Sequence, residues 1–180
     1  MFKTVEDGQL PTRGSKYSAC VDLYAREDVT IGAGETKLIP LGVAIEFRWT
    51  DVIKDFVYYG SHERQKLREK FLESHYLQLM LRSSLSKELI IANGVGVIDL
   101  DYKDEIMIRV HNPVKQYSEV KDLELEDKDY RYLDIKFVSG DCEIKKGQRV
   151  AQITLLEHKG YLFGIDTEDE RDGGFGSTGD

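Results

Sequence analysis

Cysteine is scarce in this chain: Cys20 and Cys142 are the only two in 180 residues. Two thiols cannot frame a disulfide scaffold, and they fit a reducing compartment. Positive charge is also in deficit. There are 25 Lys and Arg against 33 Asp and Glu, a net charge of −8 and a pI near 5.1. A duplex nucleic-acid binder would need a basic face, so the balance argues against a nucleic-acid partner. A small anionic substrate stays open, because a few arginines can make a local positive pocket. Long apolar runs are missing as well. The opening Met1-Phe2-Lys3-Thr4-Val5-Glu6-Asp7 has no core of signal-peptide length, and no later run could span a membrane. A soluble, cytoplasmic protein with no membrane partner is expected. His62, His75, His111 and His158 are scattered, without zinc-ligand spacing to either cysteine. No Gly-x-x-x-x-Gly-Lys-Ser/Thr phosphate loop and no Gly-x-Ser-x-Gly elbow occurs. The length suits one domain, 1–180, with a real core.

What is present is mostly short strands. Residues 1–18, with Gly8, Pro11 and Gly14, read as an extended lead-in. Residues 17–25 are strand-like and contain one acid, Asp22. Val29-Thr30-Ile31 follows, then a turn at residues 32–35. Residues 37–47 alternate, with Ile39, Leu41, Val43, Ile45 and Phe47 on one face. Such spacing predicts an all-β sandwich or barrel. Residues 48–74 break the pattern and read as a helical insertion. Val52, Ile53, Phe56 and Val57 recur at helical spacing, and Ser61 is predicted to cap a second helix carrying Glu63 in its first turn. In that helix Leu67, Phe71 and Leu72 form one apolar stripe, and the charges elsewhere read as a solvated surface. Strands are expected again over 76–81, 89–92 and 149–155, with a turn at 145–148. The acidic stretch 115–141 reads as a second insertion, with a strand over 130–137.

Four stretches could carry chemistry. Residues 93–102 read Asn-Gly-Val-Gly-Val-Ile-Asp-Leu-Asp-Tyr, and 105–110 then alternate. This predicts a β-hairpin with Asp99 and Tyr102 at its mouth, and glycines that let backbone approach another molecule. Taken alone, a hairpin with a polar tip is the commoner reading of such a stretch. Arg82-Ser83-Ser84 after a strand suits an oxyanion or is an ordinary turn. Gln152 either satisfies a neighbour or donates to a phosphate. In the tail, residues 172–180, glycines surround Phe175 and two hydroxyls follow. Either a linker or a flap that stacks on a base and cradles phosphates would read this way.

Together and in order, these stretches resemble the homotrimeric dUTPase family, in five motifs. They are Ala19-Cys20-Val21-Asp22-Leu23, Arg82-Ser83-Ser84-Leu85, residues 93–102, Gly147-Gln148-Arg149-Val150-Ala151-Gln152, and 171–179 with Gly-Gly-Phe-Gly-Ser-Thr-Gly intact. The resemblance implies a jelly-roll-like β-fold with a swapped C-terminal tail, 171–180, and a homotrimer with shared sites. It also implies Mg²⁺ and hydrolysis of dUTP to dUMP and pyrophosphate, which keeps uracil out of DNA and supplies dUMP for thymidylate synthesis. By resemblance Asp99 is the general base and accepts from the sugar 3′-OH, and Tyr102 packs under the deoxyribose. Asn93, Gly96, Val97, Ile98 and Met107 belong to the stretch that reads uracil. Arg82, Ser83, Ser84 and Gln152 bind phosphates, as Arg171 does at the γ-phosphate. Phe175 caps the base from another subunit, beside Gly176, Ser177 and Thr178. Asp22 acts on Mg²⁺ through water.

Some residues depart from the family pattern. Cys20 stands at a usual glycine, Leu81 where proline or glycine is frequent, and Asp104 where glycine is expected. The fifth motif is one residue short, so an ungapped match puts Glu170 at the arginine's position. A dCTP deaminase of the same fold would need a glutamate on the strand after the hairpin, and none is there. A nucleotide-sensing regulator acting through its insertions is the other alternative. For both insertions a protein-partner surface competes with surface decoration.

Overall fold

Alternating apolar residues, punctuated by glycine, build fourteen strands among the described residues of this computed structural model. Those residues are 1–113, 117–122, 133–138 and 140–165. In order come β1 (Phe2–Thr4), β2 (Thr12–Arg13), β3 (Val21–Tyr24), β4 (Val29–Ile31), β5 (Thr36–Pro40) and β6 (Val43–Ile45). Helices α1 (Trp49–Val52) and α2 (Ser61–Leu72) flank a 3₁₀ turn at Phe56–Tyr58. Then follow β7 (His75–Leu81), β8 (Ile90–Ile91), β9 (Gly96–Asp99), β10 (Met107–His111), β11 (Tyr117–Asp122), β12 (Leu133–Val138), β13 (Cys142–Ile144) and β14 (Arg149–Glu157). A five-stranded sheet has the order β2-β3-β14-β7-β9, and a three-stranded sheet β5-β10-β8. The pairs β1-β6, β4-β13 and β11-β12 complete the pattern. Leu23, Leu77, Leu79 and Ile153 of the larger sheet and Ile39, Ile108 and Val110 of the smaller one belong to a single core cluster, each at most 2% exposed. Burying each such side chain is worth roughly 1.5–3 kcal/mol. Among the described residues no helix is long and apolar enough to cross a membrane.

Several local expectations need correction. The alternation over 37–47 is two strands, because Gly42 turns the chain with φ +65°. Gly8, in the lead-in, packs on that turn; a Cβ there would lie 2.0 Å from the Gly42 carbonyl oxygen. The lead-in also supplies β1, paired to β6, and β2, paired to β3. The helical spacing of residues 52–57 does not make one helix. Asp55 sits in the left-handed region at φ 60° and ends α1's continuation. Gly60, not Ser61, caps α2: its N–H donates to the Glu63 carboxylate at 3.0 Å. Nor are all charges of α2 simply solvated. The Arg68 guanidinium lies 5.5 Å over the Trp49 ring and 5.1 Å over Phe56, contacts of the cation–π kind. Trp49 stacks on Phe47 at 4.6 Å and meets Phe71 edge-on, so the segment closes on its own aromatic cluster.

The turn before β5 has an electrostatic lock. Glu35 accepts the Gly32 N–H at 2.7 Å, which together with Lys37 holds its carboxyl below the usual carboxylate range. A lowered folded value means that this contribution is present above the ordinary carboxylate range and fades as pH falls through the lowered one. Glu35→Gln should therefore lower Tm slightly on the neutral plateau and leave it unchanged at the acid end, which flattens the acid limb of a Tm-against-pH curve.

Candidate active site

Residues 99–102 form a tight turn, closed by the Tyr102 N–H donating to the Asp99 carbonyl at 3.1 Å. Asp99 ends β9 and is exposed, whereas Tyr102 is only 6% exposed. The strands on either side do not form the expected hairpin ladder. β9 pairs with β7 in the larger sheet, and β10 pairs with β5 and β8 in the smaller one. Because the two arms belong to different sheets, they splay apart and leave a cavity of about 210 Å³ between them. Asn93, Gly96, Val97, Ile98, Tyr102 and Met107 line it, with Arg109 at its wall. Drug-sized ligand sites run to roughly 300–1,000 Å³, so this one suits a single ring. Asp99 does not line the cavity; it stands beyond Ile98 at the end of the strand.

The two glycines serve the fold first. Gly94 has φ +75°, which favours glycine for backbone reasons alone. Gly96 is packed on its own neighbour: a Cβ there would meet Leu79 Cβ at 2.9 Å. Asp104 is exposed and its φ is not positive, so it takes the place of a glycine without strain.

A second group of polar residues lies on the outer face of the five-stranded sheet. Asp22 pairs across β3-β14 with Gln152, which in turn faces Met80 on β7. Arg82 follows β7 on that face, and its Nε is 3.3 Å from Asp22 Oδ1. Arg149 Nη1 donates to Asp22 Oδ2, also at 3.3 Å. Arg149 was not singled out by spacing, and the reason is a bulge. The register shifts between Arg149 and Ala151, so Arg149 stands opposite Tyr24 rather than in phase with Ala151. In a regular ladder residues 149 and 151 would share the core face. The bulge turns the guanidinium outward to Asp22, a common use of an extra residue. Asp22 is thereby 9% exposed and compensated on both oxygens. Ser83 and Ser84 are exposed on the turn after Arg82, where Leu85 N–H donates to the Arg82 carbonyl at 3.0 Å. Two arginines, two hydroxyls and an amide around the one carboxylate of Asp22 form a cluster chemically able to receive an anion on an acidic chain.

Asp99 and the arginine cluster are on the same sheet face but at opposite ends of one strand. Asp99 faces Tyr76 at the start of β7, and Arg82 follows its last residue, Leu81. Six residues of extended chain span roughly 20 Å at about 3.3 Å each. Among the described residues no group of three or more His, Cys, Asp or Glu could hold a metal ion. Arg171, Phe175, Gly176, Ser177 and Thr178 lie outside the described residues.

Comparison with known proteins supplies the lineage. No family model matches the chain. The deoxyuridine 5'-triphosphate nucleotidohydrolase of Rickettsia akari (strain Hartford) is 31% identical over 180 residues, covering 96% of this chain and 89% of that protein. A dUTPase variant of Staphylococcus bacteriophage 80alpha, solved with dUpNHpp, superposes with a TM-score of 0.59 at 21% identity, over 99% of this chain and 90% of that one. A variant dUTPase from phage phi11 of S. aureus, with a structural Mg(II) ion, gives 0.56 at 19% identity, over 96% and 94%. With the dUTPase β-fold in place and nearly its whole length aligned, the chain belongs to the deoxyuridine 5'-triphosphate nucleotidohydrolase family.

Proposed function

We propose that this protein hydrolyses dUTP to dUMP and pyrophosphate at sites shared between copies of the chain in a homotrimer. One observation carries the sharing: the separation of Asp99 from Arg82 along β7. A base must stand within about 3 Å of the water it activates, and that water must reach the phosphate being attacked. An acid roughly 20 Å away along a strand cannot serve a phosphate held at Arg82. A second copy that brings its Asp99 to the first copy's arginines can. Exposed Val95 and Val97 beside Asp99, 48% and 61% accessible, give such a copy an apolar face to cover.

In the assembled site the uracil enters the cavity between β9 and β10. Backbone N–H and C=O groups read its edge there, and a thymine methyl lacks room. Tyr102 packs under the deoxyribose. Arg82, Arg149, Gln152 and the Ser83 and Ser84 hydroxyls hold the triphosphate. Asp99 takes a proton from water as its oxygen bonds to the α-phosphorus, and the opposite P–O bond breaks to release pyrophosphate. The tail residues Phe175, Gly176, Ser177 and Thr178 cover the nucleotide, and Arg171 meets the γ-phosphate. Residues 48–74 and 115–141 are insertions in this domain. Asp22 suits Mg²⁺ through water. A carboxylate has about four acceptor sites, and the two arginines take one on each oxygen. The remaining ones can accept from a hydrated ion carried by the triphosphate, which supplies charge neutralisation for the leaving pyrophosphate.

Mixing variants tests the shared site. Asp99→Asn and Arg82→Ala subunits, each inactive alone, are co-refolded in equal amounts and pyrophosphate release from dUTP is measured. Sites built from two copies recover about a quarter of the wild-type rate, the statistical share that draws both intact residues. Recovery indistinguishable from zero would mean that one chain supplies both groups.

A further inference from the structure

Behind the cavity, distant segments meet at one carboxylate. Glu105 stands between the Tyr102 turn and β10. Its Oε1 accepts from Arg26 Nε at 2.9 Å and from the Gly42 N–H at 2.7 Å. Arg26 also pairs with Glu6, and its backbone N–H donates to the Pro40 carbonyl at 2.9 Å. The Arg26 and Glu105 side chains are each 16% exposed. Backbone bonds flank the pair: Leu41 N–H donates to the Ile106 carbonyl at 3.1 Å, and Ile106 N–H to the Val43 carbonyl at 2.8 Å. On the cavity side, the Glu105 carbonyl accepts the Tyr102 hydroxyl at 3.1 Å. Tyr102 is thus tied at both ends, its amide to Asp99 and its hydroxyl to Glu105.

We infer that Arg26 is a positioning residue for sugar selectivity: by holding Glu105 it holds the Tyr102 ring that keeps out a ribose 2′-OH. The inference rests on the reading of Tyr102 as the surface under the deoxyribose. Excluding one hydroxyl by contact requires a wall that does not yield, because a small retreat of the ring makes room for it. Without Arg26 the Glu105 carboxylate is left largely buried beside a single amide. That arrangement is costly, and the side chain turns toward water and moves its own backbone carbonyl. The Tyr102 hydroxyl then loses a fixed partner.

The test compares kcat/KM for dUTP and UTP, with Tm, in Arg26→Ala, Arg26→Lys, Tyr102→Phe and the Arg26→Ala/Tyr102→Phe double variant of the full chain. Arg26→Ala should lower the dUTP:UTP ratio about tenfold, the scale of one lost hydrogen bond. The fall should come from a raised KM for dUTP and gained turnover of UTP, with kcat for dUTP little changed. Arg26→Lys, which keeps an ion pair, should recover most of the ratio. Tyr102→Phe should lose as much as Arg26→Ala, and the double variant no more than Tyr102→Phe alone, since both act through one tether. If Arg26→Ala does not fold, Glu105→Gln retains the oxygen for Gly42, drops the ion pair and should show the same fall. A lowered Tm with an unchanged ratio overturns the inference and leaves Arg26 a structural residue. Additive losses in the double variant overturn it too. A wild-type protein with no preference for dUTP over UTP overturns the Tyr102 reading itself, a separate and recognisable failure.

Discussion

Asp99→Asn is expected to lower kcat for dUTP by about a hundred- to ten-thousandfold, the usual span for a lost general base, with KM little changed. The substitution keeps the size and polarity of the side chain but removes its ability to take a proton. The turn should survive, because the Tyr102 N–H donates to the backbone carbonyl of residue 99, which the substitution leaves in place. Asp99 is exposed and its side chain does not support the core. Pre-steady-state pyrophosphate release, with Tm as a folding control, separates lost chemistry from lost structure. Undiminished release at wild-type Tm would mean that another group activates the water.

Gly8→Ala is the second large effect, and it acts on stability. The new Cβ would sit 2.0 Å from the Gly42 carbonyl oxygen and 2.5 Å from its Cα, both backbone atoms. Gly42 cannot easily retreat. Its φ is +65°, its carbonyl accepts the Val5 N–H at 2.9 Å, and its amide donates to Glu105. Overpacking of this kind costs about 1–3 kcal/mol or more, which for a chain of this size lowers Tm by roughly 2–12 °C. Gly140→Ala is the control. Nothing lies within 4 Å of a Cβ there, and its φ is not in the positive range. It should leave Tm unchanged or slightly raised, because alanine restricts the unfolded chain more than glycine does. Equal Tm values for the two variants would contradict the close approach at Gly8.

Features set by neighbours in sequence were legible in advance. The strands at β7 and β14, the tight turn after Asp99 and the turn at Gly147 all follow from alternation and turn chemistry within a few residues. The break at Gly42 was hidden, because alternation runs through a glycine without showing whether the chain bends there. Arg149 was hidden for a related reason. One extra residue in a strand reverses which face a side chain takes, and only the register against Tyr24 and Leu23 reveals it. The Arg26–Glu105 pair joins residues 79 apart in sequence, beyond any local pattern.

By itself, then, the sequence determined the kinds of residue available to the chemistry: an acid beside a phenol, arginine and serine after a strand, a glutamine within a strand. Only the tertiary structure decided where they stand. Strand pairing is a choice among distant partners, made by core burial and not by local preference. Here it sends β9 and β10 to different sheets and opens the cavity between them. It also sets Asp99 and Arg82 at opposite ends of β7, on one face. A single strand cannot bring its two ends together, and that separation is the physical reason for the proposal that a second copy completes the site.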